Sequence, residues 1–509
     1  MGTNQPVVVF NLHLQMALTS SSSPPGRNTP LVVPPELLTQ IFSFNPPLSI
    51  QSPANYTQVC CQWRAVARAL PEIWTTLTIE TPTKLVQTRA DVISFEAALT
   101  DWVSCSSNLT IDFTIRDRPN SRWFDPEDWN TLYVRVYKRI VVRYPNKWRR
   151  LITPNSWNAW NFLSKFQTQP TLSALEELTI SVHVRTVWER YSSPPFLGSR
   201  HLHRLHLNIS DDVESYCSLG HLISETVNAL TVNSAGHGGI YGYYLKQLLA
   251  LEQLQHITHL SLSKICWLGA TSRPLYGMIT LKNLQELVVN GSISGLCGLL
   301  AMLTAPSLLR LGLSATIFAS DQRYGPIVGP ALLSFMRRKR STHLACGLLT
   351  LALTGLSSDD WHQAMAFSSL FDILSTDAAS TIQELHIQSD VRFRQPITAS
   401  LMEMLRYDSE NPSNQILPHL TTFSAYDLYD SSLPAQSFFA DFVHSRWWPD
   451  DSKRRMPGVA KLERVVLKSC RLTQTTEERL RICCEGGLSD KWPDANQFAD
   501  TCDRWFQAV

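Results

Sequence analysis

The feature that most constrains this chain is a six-residue pattern, apolar-x-x-apolar-x-apolar, which returns every 24 to 42 residues. It reads LEELTI from Leu175, LHRLHL from Leu202, VNALTV from Val227, ITHLSL from Ile257 and LQELVV from Leu284. It continues as LLRLGL from Leu308, LLTLAL from Leu348, IQELHI from Ile382, LTTFSA from Leu420 and LERVVL from Leu462. Weaker copies precede these near Leu77, Leu109 and Leu151. The second half of each unit alternates with period two, which predicts a short strand with apolar residues on one face. Helix-like stretches such as Tyr243–Leu254 and Ala331–Arg340 fall between units. One strand and one helix cannot bury their own apolar faces. Stacking the units does, and this predicts an α/β repeat with parallel strands on a concave face and helices on a convex one. The competing architecture is an ordinary doubly wound α/β domain. Its strands read as continuous apolar runs, unlike the spaced register here.

Size agrees with a repeat array, since 509 residues exceed the roughly 250–300 at which a single core stops growing. The 45 basic and 43 acidic residues nearly cancel, so charge gives no reason to expect nucleic acid. Eleven cysteines include the adjacent pairs Cys60–Cys61 and Cys483–Cys484 but no C-x-x-C. That spacing suits neither a zinc site nor a disulfide framework, and fits a reducing, cytoplasmic or nuclear compartment. No run of about 18 apolar residues predicts a membrane span. The apolar segment Val7–Leu18 is interrupted by Asn11, His13 and Gln15 and lacks a preceding Lys or Arg, unlike a secretory signal.

Residues 1–30 end in a Ser/Pro-rich stretch from Ser20 to Pro30 and read as a flexible tail. A compact apolar unit follows at 31–75. Pro34 and Pro35 suit the first turn of a helix, and Leu37, Leu38, Ile41 and Phe42 give it one apolar face. A second helical pattern runs from Ala54 to Leu70 through Val59, Trp63, Val66 and Ala67, and Pro71 closes it. The repeat array occupies 76–470. At 471–509, Thr475 and Glu478 have capping-box spacing and predict a terminal helical cap, with Trp492 and Trp505 covering the end of the stack.

The unit at 31–75 resembles an F-box. The resemblance rests on Val33-Pro34-Pro35-Glu36-Leu37-Leu38, Ile41-Phe42, Val59-Cys60, Trp63-Arg64, Val66-Ala67 and Pro71-x-x-Trp74. It departs from the family pattern at Val33, where Leu is usual, and in a proline-rich linker between the two helices. The Trp74 turn running into repeats also resembles large fungal F-box proteins, and the repeats resemble irregular leucine-rich repeats. The resemblance implies a Skp-type adaptor as partner and, through it, a cullin–RING ubiquitin ligase. The chain would then be the non-catalytic substrate receptor. The adaptor-binding set it implies is Pro34, Leu37, Leu38, Ile41, Phe42, Val59, Cys60, Trp63 and Arg64. Trp74 is assigned instead to packing against the first repeat. A repeat scaffold without a ligase role is the alternative.

The repeat register places Glu177, Arg204, His206, His259, Glu286, Arg310, Glu384, His386 and Arg464 on the concave face, which is expected to bind a protein substrate. No catalytic set emerges. His201, His203 and His206 have no carboxylate or cysteine at ligand spacing. Gly236–Gly242 places Tyr241 where a dinucleotide loop needs its third glycine. Gly291-Ser292-Ile293-Ser294-Gly295 puts Ile at the position of a nucleophilic serine. Arg337–Arg340 ends a helix, where cations favour the macrodipole, and could also serve nuclear import. No cofactor or metal is expected, and no enzymatic activity.

Overall fold

The computed structural model describes residues 34–44, 60–81, 89–117, 141–153, 172–182, 199–209, 223–234, 240–241, 248–249, 252–266, 278–315, 328–340, 347–356, 367–377, 379–389, 397–408, 415–426, 433–447, 459–468 and 473–485. The tail, the linker between the first two helices, Gly236–Gly239, Trp492 and Trp505 lie outside them. No helix among the described residues is long and apolar enough to cross a membrane.

The N-terminal unit consists of helix α1 (Pro35–Phe44), helix α2 (Cys61–Arg68) and a 3-10 turn at Pro71–Trp74. α1 starts where the sequence predicts, with Pro35 at its first position. From there the chain enters one sheet of parallel strands. They are β1 (Thr76–Thr81), β2 (Ile111–Asp117), β3 (Trp148–Ile152), β4 (Glu177–Val182), β5 (Arg204–Ile209) and β6 (Ala229–Ser234). A two-residue β7 (Ile240–Tyr241) pairs alongside β8 (His259–Cys266). β10 (Glu286–Gly291), β12 (Arg310–Ala315), β13 (Thr350–Leu356), β14 (Glu384–Ser389), β15 (Thr422–Tyr426) and β16 (Arg464–Lys468) complete the path, in sequence order throughout. β9 (Ile279–Thr280) and β11 (Leu303–Thr304) form a separate small sheet. Sequential parallel order, with helices between strands, is the arrangement of an α/β repeat. The weak copies near Leu77, Leu109 and Leu151 are β1, β2 and β3.

The register follows directly from the six-residue pattern. β4, β5, β6, β8, β10 and β12 to β16 each open at the third residue of the pattern. The fourth and sixth positions point into the core, as with Leu178 and Ile180, Leu205 and Leu207, and Leu385 and Ile387. The first position buries too, as Leu175, Leu202 and Leu284 illustrate. A backbone device fixes the stacking at the second and third positions. From Glu176 to Thr421, one carbonyl per repeat accepts two N–H groups from the next repeat. His203 and Arg204 donate to Glu176 at 3.0 and 3.1 Å, Thr258 and His259 to Asn228 at 2.9 and 3.0 Å, and Glu463 and Arg464 to Thr421 at 2.8 and 3.1 Å.

The other side of the core is helical. α3 (Arg89–Cys105) follows β1. α4 (Ile293–Met302), α5 (Val328–Arg340), α6 (Phe367–Leu374), α7 (Ile397–Leu405), α8 (Leu433–Arg446) and α9 (Gln474–Glu485) each touch the next. α9 is capped two residues earlier than predicted. Thr473 rather than Thr475 stands at its N-cap, and its Oγ1 accepts the Thr476 N–H at 3.3 Å. Local spacing alone cannot separate two threonines when only one sits where the helix can begin.

The segment Gly291–Gly295 is a strand-to-helix corner. Ser292 caps α4, accepting the Gly295 N–H at 2.9 Å. A Cβ on Gly291 would lie 2.4 Å from the Ile265 carbonyl oxygen and one on Gly295 would lie 2.6 Å from it, so both glycines are needed for α4 to approach β8. Opposite, Lys264 takes a left-handed backbone (φ 55°) within two residues of the register shift against β10.

Two arginines tie successive helices together. Arg338 in the last turn of α5 donates to the Leu300 carbonyl and, at 3.3 Å, to that of Leu303, closing the C-terminal end of α4. This member of the Arg337–Arg340 run therefore has a structural role. Arg446, at the end of α8, is fully buried. Its Nε donates to Leu405 and its Nη1 to Leu417, both at 2.7 Å, and its Nη2 donates to Ile416.

Candidate functional site

The N-terminal unit is anchored to the sheet by tryptophans. Trp74 donates its indole N–H to the Ala67 carbonyl at 2.8 Å, and Trp102 on α3 donates to the Trp74 carbonyl at 2.7 Å. The two rings meet edge-on, 5.1 Å apart. Trp74 thus takes the packing role expected of it. Within the unit, the Trp63 ring meets Phe42 edge-on at 5.4 Å. Leu38 and Phe42 are fully buried and part of the continuous core, so they hold α1 in place and offer no surface to a partner. This corrects their placement in the adaptor-binding set. An amphipathic pattern identifies an apolar face but not whether the chain itself covers it. Pro34, Leu37, Cys60 and Arg64 remain exposed around α1 and the start of α2, and Trp63 is half-buried between the two settings. Val59 and the side chain of Ile41 lie outside the described residues.

Residues 31–80 match the F-box-like family model. The F-box-like domain so defined takes in α1, α2, the Trp74 turn and most of β1, so it runs into the sheet without a break. No curated protein matches the chain.

The second surface is the outward row of the sheet. Thr76, Asp112, Arg150, Glu177, Arg204, Ala229, His259, Glu286, Arg310, Thr350, Glu384, Thr422 and Arg464 stand in register across successive strands. Every first-row residue named from the sequence pattern is in this line. Neighbouring charges pair along it. Arg149 grips Asp112 with two bonds of 2.9 and 2.7 Å. Arg150 reaches Glu177 at 2.8 Å, Arg204 reaches it at 4.0 Å, and Arg310 reaches Glu286 at 3.4 Å. These cross-strand pairs were not anticipated, because pairing requires knowing which strands are neighbours.

His206 and His386 lie one pleat further along. His206 Nε2 is 3.6 Å from Glu177. Burial holds this imidazole below the ordinary histidine value, with Glu177 opposing that shift and Arg150 and Arg204 adding to it. At neutral pH it is uncharged, so Arg150 supplies the charge that balances Glu177. His386 is nearly buried beneath Glu384, 3.7 Å away, and so contributes less surface than its sequence position implies. Glu384 also accepts from Thr350 at 3.0 Å. The His386 bond first, and then Thr350, hold its carboxyl below the usual carboxylate value against an opposing effect of burial.

Because its folded value is depressed, Glu384 stabilises the fold above the unfolded carboxylate value, near pH 4.5, and loses that contribution as pH falls through the folded value. Glu384→Gln is expected to lower stability slightly at neutral pH and to match the wild type once Glu384 is protonated, which flattens the acid limb of the stability-against-pH curve. The group is half-exposed, so the effect is small. Coincident acid limbs for the two proteins would refute it.

His201, His203 and His206 do not converge. Among the described residues, no cluster of His, Cys, Asp and Glu could hold a metal. A polar cleft of about 570 Å³ opens where α7, α8 and α9 meet, lined by Arg406, Tyr407, Asp408, Asp441, His444, Ser445 and Arg479. Arg479 and Asp441 pair there at 2.6 Å. Nothing in the sequence pattern signals it, since its residues come from the turn after α7, the second half of α8 and the middle of α9.

Proposed function

We propose that this chain is the substrate-recognition subunit of a Skp–cullin–F-box ubiquitin ligase, acting in the cytoplasm, the nucleus or both. The F-box-like domain docks on a Skp-type adaptor, and the repeat array behind it is a solenoid whose outward, concave row holds a protein substrate. The observation that carries this reading is the family match at 31–80, which falls on a helical unit that still exposes Pro34, Leu37, Cys60 and Arg64. The chain itself carries out no chemistry in this reading. It contributes proximity, bringing a substrate lysine near ubiquitin held by partner subunits.

Leu37→Asp tests the docking half without disturbing the fold, because Leu37 is 49% exposed on α1. The wild-type chain is expected to capture purified Skp-type adaptor, and Leu37→Asp to lose at least about tenfold in affinity, as expected when a charge is placed in an apolar contact. Trp63→Ala is the poorer probe, since it removes a ring that packs on Phe42. Equal capture by wild type and Leu37→Asp would remove α1 from the docking surface. No capture by wild type would remove the ligase role altogether.

One observation favours the second reading, a repeat scaffold without a ligase role. Leu38 and Phe42 are spent inside the chain, leaving Leu37 as the one strongly exposed large apolar side chain among the described residues of the domain.

A further inference from the structure

Lysine is ordinarily among the commonest residues, yet this chain of 509 has 12 lysines against 33 arginines. None precedes Lys84, so the whole F-box-like domain at 31–80 is without one, and none lies between Lys339 and Lys453. Among the described residues, eleven arginines are exposed but only two lysines, Lys264 and Lys282. Lys147 and Lys461 are half-buried, and the ammonium of Lys147 donates to the Ser107 and Leu109 carbonyls.

Geometry asks for a guanidinium at only some of these places. Where its planar fork is used, several bonds result. Arg149 closes on Asp112 with two, Arg338 reaches two carbonyls and Arg446 three. Other exposed arginines meet a carboxylate through one nitrogen. Arg68 is 3.1 Å from Asp101, Arg150 is 2.8 Å from Glu177 and Arg310 is 3.4 Å from Glu286. An ammonium would serve there equally well, and exposed pairs contribute too little to the fold to choose between the two bases.

What separates them is nucleophilicity. A lysine ε-amine can lose its proton and attack a carbonyl, whereas a guanidinium stays protonated. In ubiquitin transfer the amine nitrogen bonds to the C-terminal carbonyl carbon of ubiquitin. The thioester bond to the carrier breaks, and the thiol leaves with the proton that the amine gives up. A receptor stands near that thioester through every transfer, so proximity exposes its own amines repeatedly. We infer that this chain carries its basic surface as arginine so that it is a poor acceptor of ubiquitin within its own complex. The inference rests on the ligase reading and adds to it how the receptor outlasts its substrates.

The test uses the full chain assembled with the Skp-type adaptor, the cullin–RING partner, activating and carrier enzymes and ubiquitin, with no substrate present. Arg143, Arg200, Arg337, Arg406 and Arg481 are exposed and lie outside the adaptor and concave surfaces. Changing all five together, as Arg143→Lys, Arg200→Lys, Arg337→Lys, Arg406→Lys and Arg481→Lys, raises the exposed lysines among the described residues from two to seven. This quintuple variant is expected to take up ubiquitin about twofold faster than wild type, in line with the added amines held near the thioester. Lys264→Arg, Lys282→Arg is expected to be slower than wild type. Adaptor capture and melting temperature are measured on every protein, and the five single Arg→Lys variants are scored separately should the quintuple variant melt early. Equal rates for wild type and the arginine-to-lysine variants, at equal capture, overturn this inference and leave the receptor reading standing. No capture by wild type overturns the receptor reading, and this inference falls with it.

Discussion

Arg446→Met is expected to destabilise the C-terminal end of the repeat array by about 3–5 kcal/mol. Arg446 is fully buried and, among the described residues, has no carboxylate partner. Its guanidinium is instead held by the carbonyls of Leu405, Ile416 and Leu417. Burial pushes its pKa down to about 10, still well above neutrality, so the group stays charged. Methionine fills much of the same volume but removes three hydrogen bonds from a charged donor, at ~1.5–3 kcal/mol each before relaxation, and leaves the Ile416 and Leu417 carbonyls with only the Gln415 side chain and the Leu420 N–H. The Leu417 carbonyl belongs to a residue in the left-handed region (φ 49°), so losing the shorter of its two hydrogen bonds also removes support from a strained turn. Arg446→Lys keeps the charge but not the planar fork, and should fall between wild type and methionine. Hydrogen exchange read separately over α7–α9 and over β1–β6 is the measurement. The expected result is lost protection confined to the first region. Unchanged exchange there would mean that water replaces the guanidinium without cost.

The second large effect is expected at the other end. Trp102→Ala removes a side chain only 2% exposed, and with it the indole bond to the Trp74 carbonyl and the ring contact at 5.1 Å. Large-to-small changes of this kind cost about 3–5 kcal/mol. The loss should loosen α1 and α2 from the sheet, because Trp74 is packed between α2 and α3. Trp102→Phe keeps most of the ring and isolates the hydrogen bond, at ~1–3 kcal/mol for the carbonyl left unpaired. Protease sensitivity of the Leu70–Thr75 segment should rise markedly in Trp102→Ala and modestly in Trp102→Phe. Equal resistance in all three proteins would show that other contacts carry the junction.

Much of the fold was legible because a repeat makes the same argument many times. A single L-x-x-L-x-L match is ambiguous. Ten in succession select one face, one strand start and one register, and the line from Glu177 to Arg464 follows from counting. What was not legible depends on neighbours that are distant in sequence. Leu38 and Phe42 look like Leu37 in an amphipathic pattern, and only the packing of α1 separates buried from exposed. Arg446 reads as one more basic residue near a helix end, and the basic run at Arg337–Arg340 concealed a second arginine of the same kind in Arg338. The pairing of Glu177 with Arg204 and of Glu286 with Arg310 also required the strand order, since the partners lie 24 to 27 positions apart.

The paired N–H bonds between repeats all run one way, from a later repeat to an earlier one. Synthesis begins at the F-box end, so every acceptor leaves the ribosome before its donors. Each repeat can therefore be templated by the one before it, without waiting for the chain to be finished. Arrested nascent chains of increasing length should gain amide protection one repeat at a time from the N-terminal side. Protection that appeared only at full length would show that the polarity written into the backbone is not used during growth.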